Sequence, residues 1–332
     1  MPALAETRPT TLSQSGIANL RSCARRYYNA QILRLERREV SESQRDGKGL
    51  HRALEAAAGR HLPEEQRQAA FQQVGIDLDA GRLRPLNAAR IRAMIGGYFR
   101  QWGKLQTWAR EYPLSGPIPG ISELTFVGKV DRIIQTPGVF AILDYKTVER
   151  LSPTYLESLQ RMLQGPLYAH YLEQEQGMEV TEVIYDLIVR PPSGMAPRND
   201  KFYSDSAVPG SRQLKSGKNS GKWLLERKET MDEFEGRLHA LYRDKPEEMI
   251  LRPLVCITRE NRAEALHELT LAAREVLWRL DTGNWGENRR ECEGAFYPCP
   301  YRQLCYSRYN PVVVENEYTS RGEALDSEGI VE

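Results

Sequence analysis

The apolar residues of this chain change their spacing twice, and that alternation limits the fold more than any other feature. Ile91, Met94, Ile95, Tyr98, Trp102 and Leu105 recur every three or four residues, the period of a helix with one buried face. Residues 121–127, 130–135 and 139–143 are instead short β-rich runs, and Gly128 and Pro137-Gly138 read as hairpin turns between them. Helical spacing then returns. Ser152-Pro153 supplies a cap and a first-turn proline, and Tyr155, Leu156, Leu159 and Leu163 point inward. Gly165-Pro166 kinks or restarts that helix, with Pro166 opening a second one through Tyr168 and Leu172. Residues 180–189 form a further strand ended by Pro191-Pro192, and helices follow over 231–243 and 262–280, the second stopped near Gly283. Strands set between blocks of helix imply an α/β fold: a mixed central sheet with helices on its faces.

Upstream, residues 15–39 read as a basic helical segment carrying Arg21, Arg25, Arg26, Arg34, Arg37 and Arg38. A second helix over 50–58 leads through a polar loop into the helix of Ile91. Between Arg190 and Lys228 lie nine basic residues and three acids among Gly, Ser and Pro, which reads as a positive, mobile loop or hairpin inserted at about 190–228. The expected organisation is one domain over 15–310 between loose polar tails at 1–14 and 311–332. With 46 basic and 45 acidic side chains, overall charge does not point to nucleic acid, so local clusters have to carry that argument. No run approaches the roughly 18 apolar residues of a membrane helix, and the first residues lack a signal-peptide pattern, so the expectation is a cytoplasmic protein without a membrane partner. In a reducing compartment, five cysteines are better read as metal ligands or reactive thiols than as disulfides.

Chemistry concentrates where two neighbouring strands each carry an acid: Gly128-Lys129-Val130-Asp131 and Leu143-Asp144-Tyr145-Lys146. Phosphodiester hydrolysis needs a hard divalent cation to polarise phosphate and activate water, and paired carboxylates are its natural ligands. Alternation puts Asp144 and Lys146 on one face and Tyr145 on the other, so an ammonium sits beside the metal, able to orient water or neutralise developing charge. Taken alone, acid-x-Lys is more often a surface ion pair. Here the apolar run Phe140-Ala141-Ile142-Leu143 buries the strand and makes charges at its end expensive unless used or paired. His51, in Gly47-x-x-x-His51, supplies an imidazole to the same metal, and Gln164-x-x-x-Tyr168 offers an amide and a phenol at helical spacing.

Cys292, Cys299 and Cys305 lie within fourteen residues, and Cys23 lies near the other end. If the ends meet, Cys23 completes a four-thiolate site for a [4Fe-4S] cluster or a structural zinc, between which spacing does not choose. Cys256, inside Leu254-Val255-Cys256-Ile257, reads as a core residue.

In order and approximate spacing these elements resemble the RecB-like nucleases with iron-sulfur staples, within the PD-(D/E)XK superfamily, a group that includes CRISPR adaptation nucleases, the nuclease domains of helicase-nucleases and exonuclease V. Gly47 and His51 match the first motif, Gly128 and Asp131 the second, Asp144 and Lys146 the third, and Gln164 and Tyr168 the trailing one. The resemblance implies a restriction-endonuclease-like core with a helical cap and an iron-sulfur staple joining the N- and C-terminal regions. It implies magnesium or manganese held by His51, Asp131, Asp144 and the Tyr145 carbonyl, with Lys146 as catalytic lysine. It also implies that Cys23, Cys292, Cys299 and Cys305 bind the cluster, although six residues separate Cys292 from Cys299 where many relatives have two. Gly165-Pro166 falls inside the trailing motif, placing Gln164 at a helix break.

The function implied is exonuclease action on single-stranded DNA or duplex ends, in repair, recombination, host defence or phage replication. No Walker-type loop is present, so any helicase or recombination motor is a separate partner. The segments 21–38 and 190–228 offer phosphate contacts, with Phe202, Tyr203 or Trp223 available for stacking on bases. Two rivals are a non-catalytic DNA-binding scaffold and a sequence-specific endonuclease, the latter needing a groove-reading element for which only the basic insertion is available.

Overall fold

The computed structural model describes residues 6–60, 62–102, 107–136, 139–192, 194–293 and 298–320. The chain opens with β1 (Thr11–Ser13), α1 (Gln14–Ser22) and α2 (Ala24–Tyr27), passes through a widened helical turn at Tyr28–Ile32, and reaches β2 (Leu35–Arg37). Three helices follow: α3 (Glu42–Ala58), α4 (Pro63–Asp79) and α5 (Pro85–Gln101). Next come β3 (Thr107–Ile118), β4 (Ile121–Thr136), β5 (Val139–Val148), α6 (Pro153–Leu159), α7 (Gln164–Gln176) and β6 (Val180–Val189). A small sheet of β7 (Asn199–Ser204), β8 (Arg212–Gln213) and β9 (Trp223–Lys228) precedes α8 (Met231–Asp244), α9 (Pro246–Met249), β10 (Ile250–Leu251) and β11 (Leu254–Cys256). The chain closes with α10 (Arg259–Thr282), α11 (Arg289–Cys292), α12 (Arg302–Tyr306), α13 (Pro311–Glu317) and β12 (Tyr318–Ser320).

The fold is α/β, as the changing period implies. Among the described residues, seven strands form one mixed sheet in the order β1-β4-β5-β6-β10, with β3 also on β4 and β11 also on β6. The β5–β6 pair is parallel, joined through α6 and α7, whereas β4–β5 is antiparallel. Strand alternation sends Ile142 into a core shared with α1, α7 and α10, and sends Ala141, Leu143 and Tyr145 into a second core under α3, α4, α5 and α8. The sheet is therefore covered on both faces, which explains the unbroken apolar runs in β5 and β6.

Several expectations are corrected. β4 runs straight through Gly128, and the hairpin turn lies at Pro119-Gly120, where Gly120 takes φ +69°. The Pro137-Gly138 turn lies outside the described residues. The polar loop before residue 85 is a helix, α4, whose inner face is Ala70, Val74 and the buried Asp77 rather than large apolar residues. The basic segment 15–39 is not one helix: it breaks at Cys23, turns at Arg34 (φ +52°) and ends as a strand. Its cations are largely engaged within the fold, with Arg21 on Glu268 and Glu275, and Arg25 over the rings of Tyr28 and Tyr309. The expected tails are also partly built in. β1 pairs in parallel with Thr125–Val127 of β4, and β12 pairs with β2. The basic insertion is a three-stranded antiparallel sheet, on which Phe202 and Tyr203 are exposed. Cys256 is exposed on the edge strand β11, not in the core.

Tyr98, Asp186 and Arg252 tie α5 to the sheet. Asp186 is fully buried; it accepts from the Tyr98 hydroxyl at 2.7 Å and from Arg252 at 2.5 and 2.8 Å, while the guanidinium stacks on Trp102. Removing one partner of such a pair leaves a charge stranded in the core, at a cost of about 3–5 kcal/mol. Asp186→Ala is accordingly expected to lower the urea midpoint by that equivalent. A loss below about 1 kcal/mol would show that the network does not hold the cap to the sheet.

Candidate active site

The site lies where β4 and β5 part. Their ladder runs from Thr136↔Val139 to Arg132↔Leu143, and beyond it β5 continues beside β6, from Asp144↔Tyr185 to Val148↔Val189. At the fork, the Tyr145 N–H donates to Asp131 Oδ2 at 3.0 Å, so a carboxylate takes the amide that the next rung would have used. The alternation of β4 also breaks there. Leu124, Phe126 and Val130 belong to one core, and Ile133, three residues on, belongs to the same core. Across the hairpin Tyr112 pairs with Val130 and Arg110 with Arg132, and between them Glu111 takes the left-handed value φ +45°. A distortion of this kind re-aims side chains beside it.

Two further elements, α3 and α7, join β5 in bringing side chains to the fork. From α3, His51 Nδ1 lies 3.5 Å from Asp131 Oδ2. From β5, Lys146 Nζ lies 2.8 Å from Asp144 Oδ2. From the first turn of α7, Gln164 accepts from Lys146 Nζ at 3.0 Å and donates to Asp144 Oδ1 at 2.8 Å, closing a triangle. The helix break around Gly165-Pro166 thus places Gln164 in the site rather than removing it. The Tyr168 hydroxyl interacts with the backbone of Lys129 and with Gln164. Tyr145 points to the opposite face, where Arg132 donates to its hydroxyl at 3.3 Å and its ring packs edge-on with Tyr98.

The two motif glycines have a spatial reason. A Cβ on Gly128 would lie 2.5 Å from the Tyr168 ring, closer than a side chain allows, whereas one on Gly47 would lie 3.0 Å from Thr147 Oγ1, a tight contact that a small shift of the threonine relieves.

Electrostatically the fork is short of positive charge. Burial, reinforced by repulsion from Asp144, pushes the Asp131 carboxyl up to about 6. Burial alone would pull the Lys146 ammonium down, but attraction to Asp144, with Asp131 adding, holds it above its ordinary value and therefore charged. Asp144 Oδ2 is buried without a well-directed hydrogen bond; the ammonium beside it makes a close ion pair rather than an aligned donor contact. The two crowded carboxylates are hard donors of the kind magnesium or manganese takes, and the imidazole is a borderline donor beside them. Among the described residues, no three His, Cys, Asp or Glu side chains are already gathered as a metal cage.

Comparison with known proteins now places the chain. The PD-(D/E)XK nuclease superfamily model matches residues 11–306. The chain belongs to the PD-(D/E)XK nuclease superfamily. No curated protein matches the sequence. Among solved structures it is similar to a protein from Eubacterium rectale provisionally described as an exonuclease, at 13% identity and TM-score 0.44, with 82% of each chain covered. The mixed sheet flanked by helices agrees with the superfamily fold, whose nucleases generally use magnesium or manganese.

Of the four cysteines, burial pushes the thiols of Cys292, Cys299 and Cys305 up, with smaller mutual effects that reach from Cys23 to Cys292 and Cys299. Among the described residues they are not gathered closely enough to form a ready metal cage. Cys23 Sγ accepts from the Asn288 N–H at 3.3 Å, and Cys305 Sγ from Asn29 at 3.8 Å. The two ends of the chain also touch directly: Trp285 stacks on Tyr27, the Arg25 N–H donates to Gly286 at 3.0 Å, and Asn288 donates to Ser22 at 2.9 Å.

Sequence reasoning missed the ground around the fork. An open cleft of about 580 Å³ adjoins it, lined by Gln44, Gly47, Thr147, Arg150, Tyr155 and Arg190 among others. Tyr155, read only as an inward-facing helix residue, is close enough to feel both Lys146 and Asp144. Its only sequence signal was its place in the first turn of a helix that follows the acid-x-Lys strand.

The raised Asp131 value has a definite sign. Between its ordinary 3.8 and about 6, the folded protein keeps a proton that the unfolded chain has lost. This group's contribution to stability is therefore whole below the lower value and is lost as pH rises through the upper one. In EDTA, the urea midpoint of the protein is expected to fall relative to that of Asp131→Asn as pH rises from 4 to 7. A difference that stays flat across this window would contradict the crowding of the two acids.

Proposed function

We propose that this chain is a metal-dependent deoxyribonuclease that degrades DNA from single strands or duplex ends. The observation that carries the reading is the fork itself: Asp131 and Asp144 are crowded at buried positions, and Lys146 and Gln164 are locked beside Asp144. In this reading His51, Asp131, Asp144 and the Tyr145 carbonyl hold a magnesium or manganese ion. Bound there, the ion polarises a phosphodiester and lowers the pKa of an attacking water.

The remaining roles belong to the chain. Lys146 stays protonated, so it acts as a donor and positive charge toward phosphate rather than as a base. Gln164 fixes Lys146 and Asp144 in one geometry by holding both. Tyr168, seated against Gly128, holds that glutamine in turn. The cleft of Gln44, Arg150, Tyr155 and Arg190 receives the strand beside the scissile phosphate. The preference for ends follows from the resemblance to RecB-like nucleases, and resistance of supercoiled circles to cutting would support it. Cys23, Cys292, Cys299 and Cys305 hold a [4Fe-4S] cluster, with structural zinc as the alternative. Amide donors to two of the sulfurs suit thiolates in either case.

Even outer-shell partners of a metal cost about 10–100-fold in metal affinity or activity when removed. Asp144→Asn is therefore expected to lose more than about 100-fold in cleavage of end-labelled DNA with manganese, while still binding DNA. Normal turnover by this variant would sink the assignment, and tight DNA binding by an inactive wild-type protein would favour the scaffold reading. For the cysteines, anaerobically purified Cys23→Ala should lose visible absorbance and melt lower than wild type. An unchanged spectrum and melting temperature would refute the staple.

A further inference from the structure

Helix α3 has three faces. Asp46, Leu50, Ala53 and Ala57 are buried, Gly47 and His51 look toward the fork, and Arg45, Lys48 and Arg52 form a third stripe. That third stripe lines a separate cavity of about 250 Å³, completed by Arg38, Val40, Ala80, Gly81 and Arg82. Five cations and no acid are among the described residues that line it. The carboxylate beneath is the fully buried Asp77, whose oxygens are taken by Arg52 at 2.7 Å, Arg82 at 2.9 Å and Gln73 at 3.1 Å.

The other guanidinium groups are positioned by neutral acceptors. Arg38 Nε donates to the Glu315 carbonyl at 3.1 Å and Arg45 Nη1 to the Arg82 carbonyl at 3.3 Å, while Arg45 Nε is buried without a partner. Carbonyls orient Arg38 and Arg45 without cancelling their charge, so these two keep the cavity positive, and guanidinium groups converging on one space match phosphate oxygens. Lys48 and His51, three apart on one helix, are neighbours on its surface, so the cavity opens beside the face that carries the imidazole of the fork.

We propose that this pocket holds a phosphate of the DNA strand being cleaved; the inference rests on the nuclease reading above. It is separate from the catalytic cation and adds affinity along the strand.

The test measures binding of a labelled single-stranded oligonucleotide to the inactive Asp144→Asn protein over a range of salt, alone and combined with Lys48→Glu or Arg45→Gln. Each pocket change is expected to weaken binding and to flatten the slope of log affinity against log salt by about 0.7, the value of one phosphate contact on a single strand. In the active enzyme, KM for long strands should rise with kcat retained, which general structural damage would not produce. Comparing 5′-phosphorylated with 5′-hydroxyl oligonucleotides identifies the source. A defect confined to the phosphorylated strand points to a terminal phosphate, and an equal defect points to an internal one; both support the pocket. Affinity and slope left unchanged by both pocket variants would overturn this inference alone. Failure of the Asp144→Asn parent to bind DNA at all would overturn the nuclease reading and this inference with it.

Discussion

A β-ladder ends where its strands stop exchanging hydrogen bonds, and here the end is made by a side chain. Asp131 accepts the Tyr145 amide, and from that point β5 is free to follow β6 alone. The gap between the strands is where α3 and α7 insert His51 and Gln164. Were the ladder to continue, Asp131 would have no fork to face and Gln164 no space to reach Asp144. The same bond fixes one oxygen of the carboxylate that is then asked to bear charge at a buried position, so architecture and chemistry share one contact.

Much of this was legible because each motif carried its own physics. The apolar run 140–143 marked β5 as a strand covered on both faces, and its alternation placed Asp144 and Lys146 together with Tyr145 behind. Residues 180–189 were read to their observed ends because Pro191-Pro192 closes the strand. Other parts resisted for physical reasons. β3 contains Pro113 and Pro117 and alternates weakly, so its pattern does not announce a strand, although it is the long partner of β4. α4 hides because its buried face is alanine, valine and an aspartate satisfied by Arg52 from α3 and Arg82 from its own exit. The break at Gly128 was a true signal wrongly assigned: the glycine makes room for Tyr168, and the irregularity lies three residues on, where Glu111 and Asp131 distort the hairpin.

Charge shows the same divide. The sequence gathers arginines at 21–38, yet most are spent on internal partners, and only Arg38 reaches the basic cavity. That cavity draws on three stretches of chain that no window of sequence brings together: Arg38, the α3 stripe and the α4 exit at Arg82. Asp77 pairs with two of the cavity's five cations, Arg52 and Arg82.

The clasp between the first and last parts of the chain has a bearing on how the protein is made. Tyr27 stacks on Trp285, Cys23 accepts from Asn288, and Leu35–Arg37 pairs with Tyr318–Ser320. On a ribosome the early segments emerge long before their partners exist, and contacts of such sequence separation form last because loop closure must be met first. The nascent chain therefore carries an unpaired strand and uncovered aromatic rings until translation has passed residue 320. A product stopped short of that point would leave β2 as an open edge, a template for association with other chains. In this fold, the N-terminal segment is finished only by residues about 280 positions downstream of it.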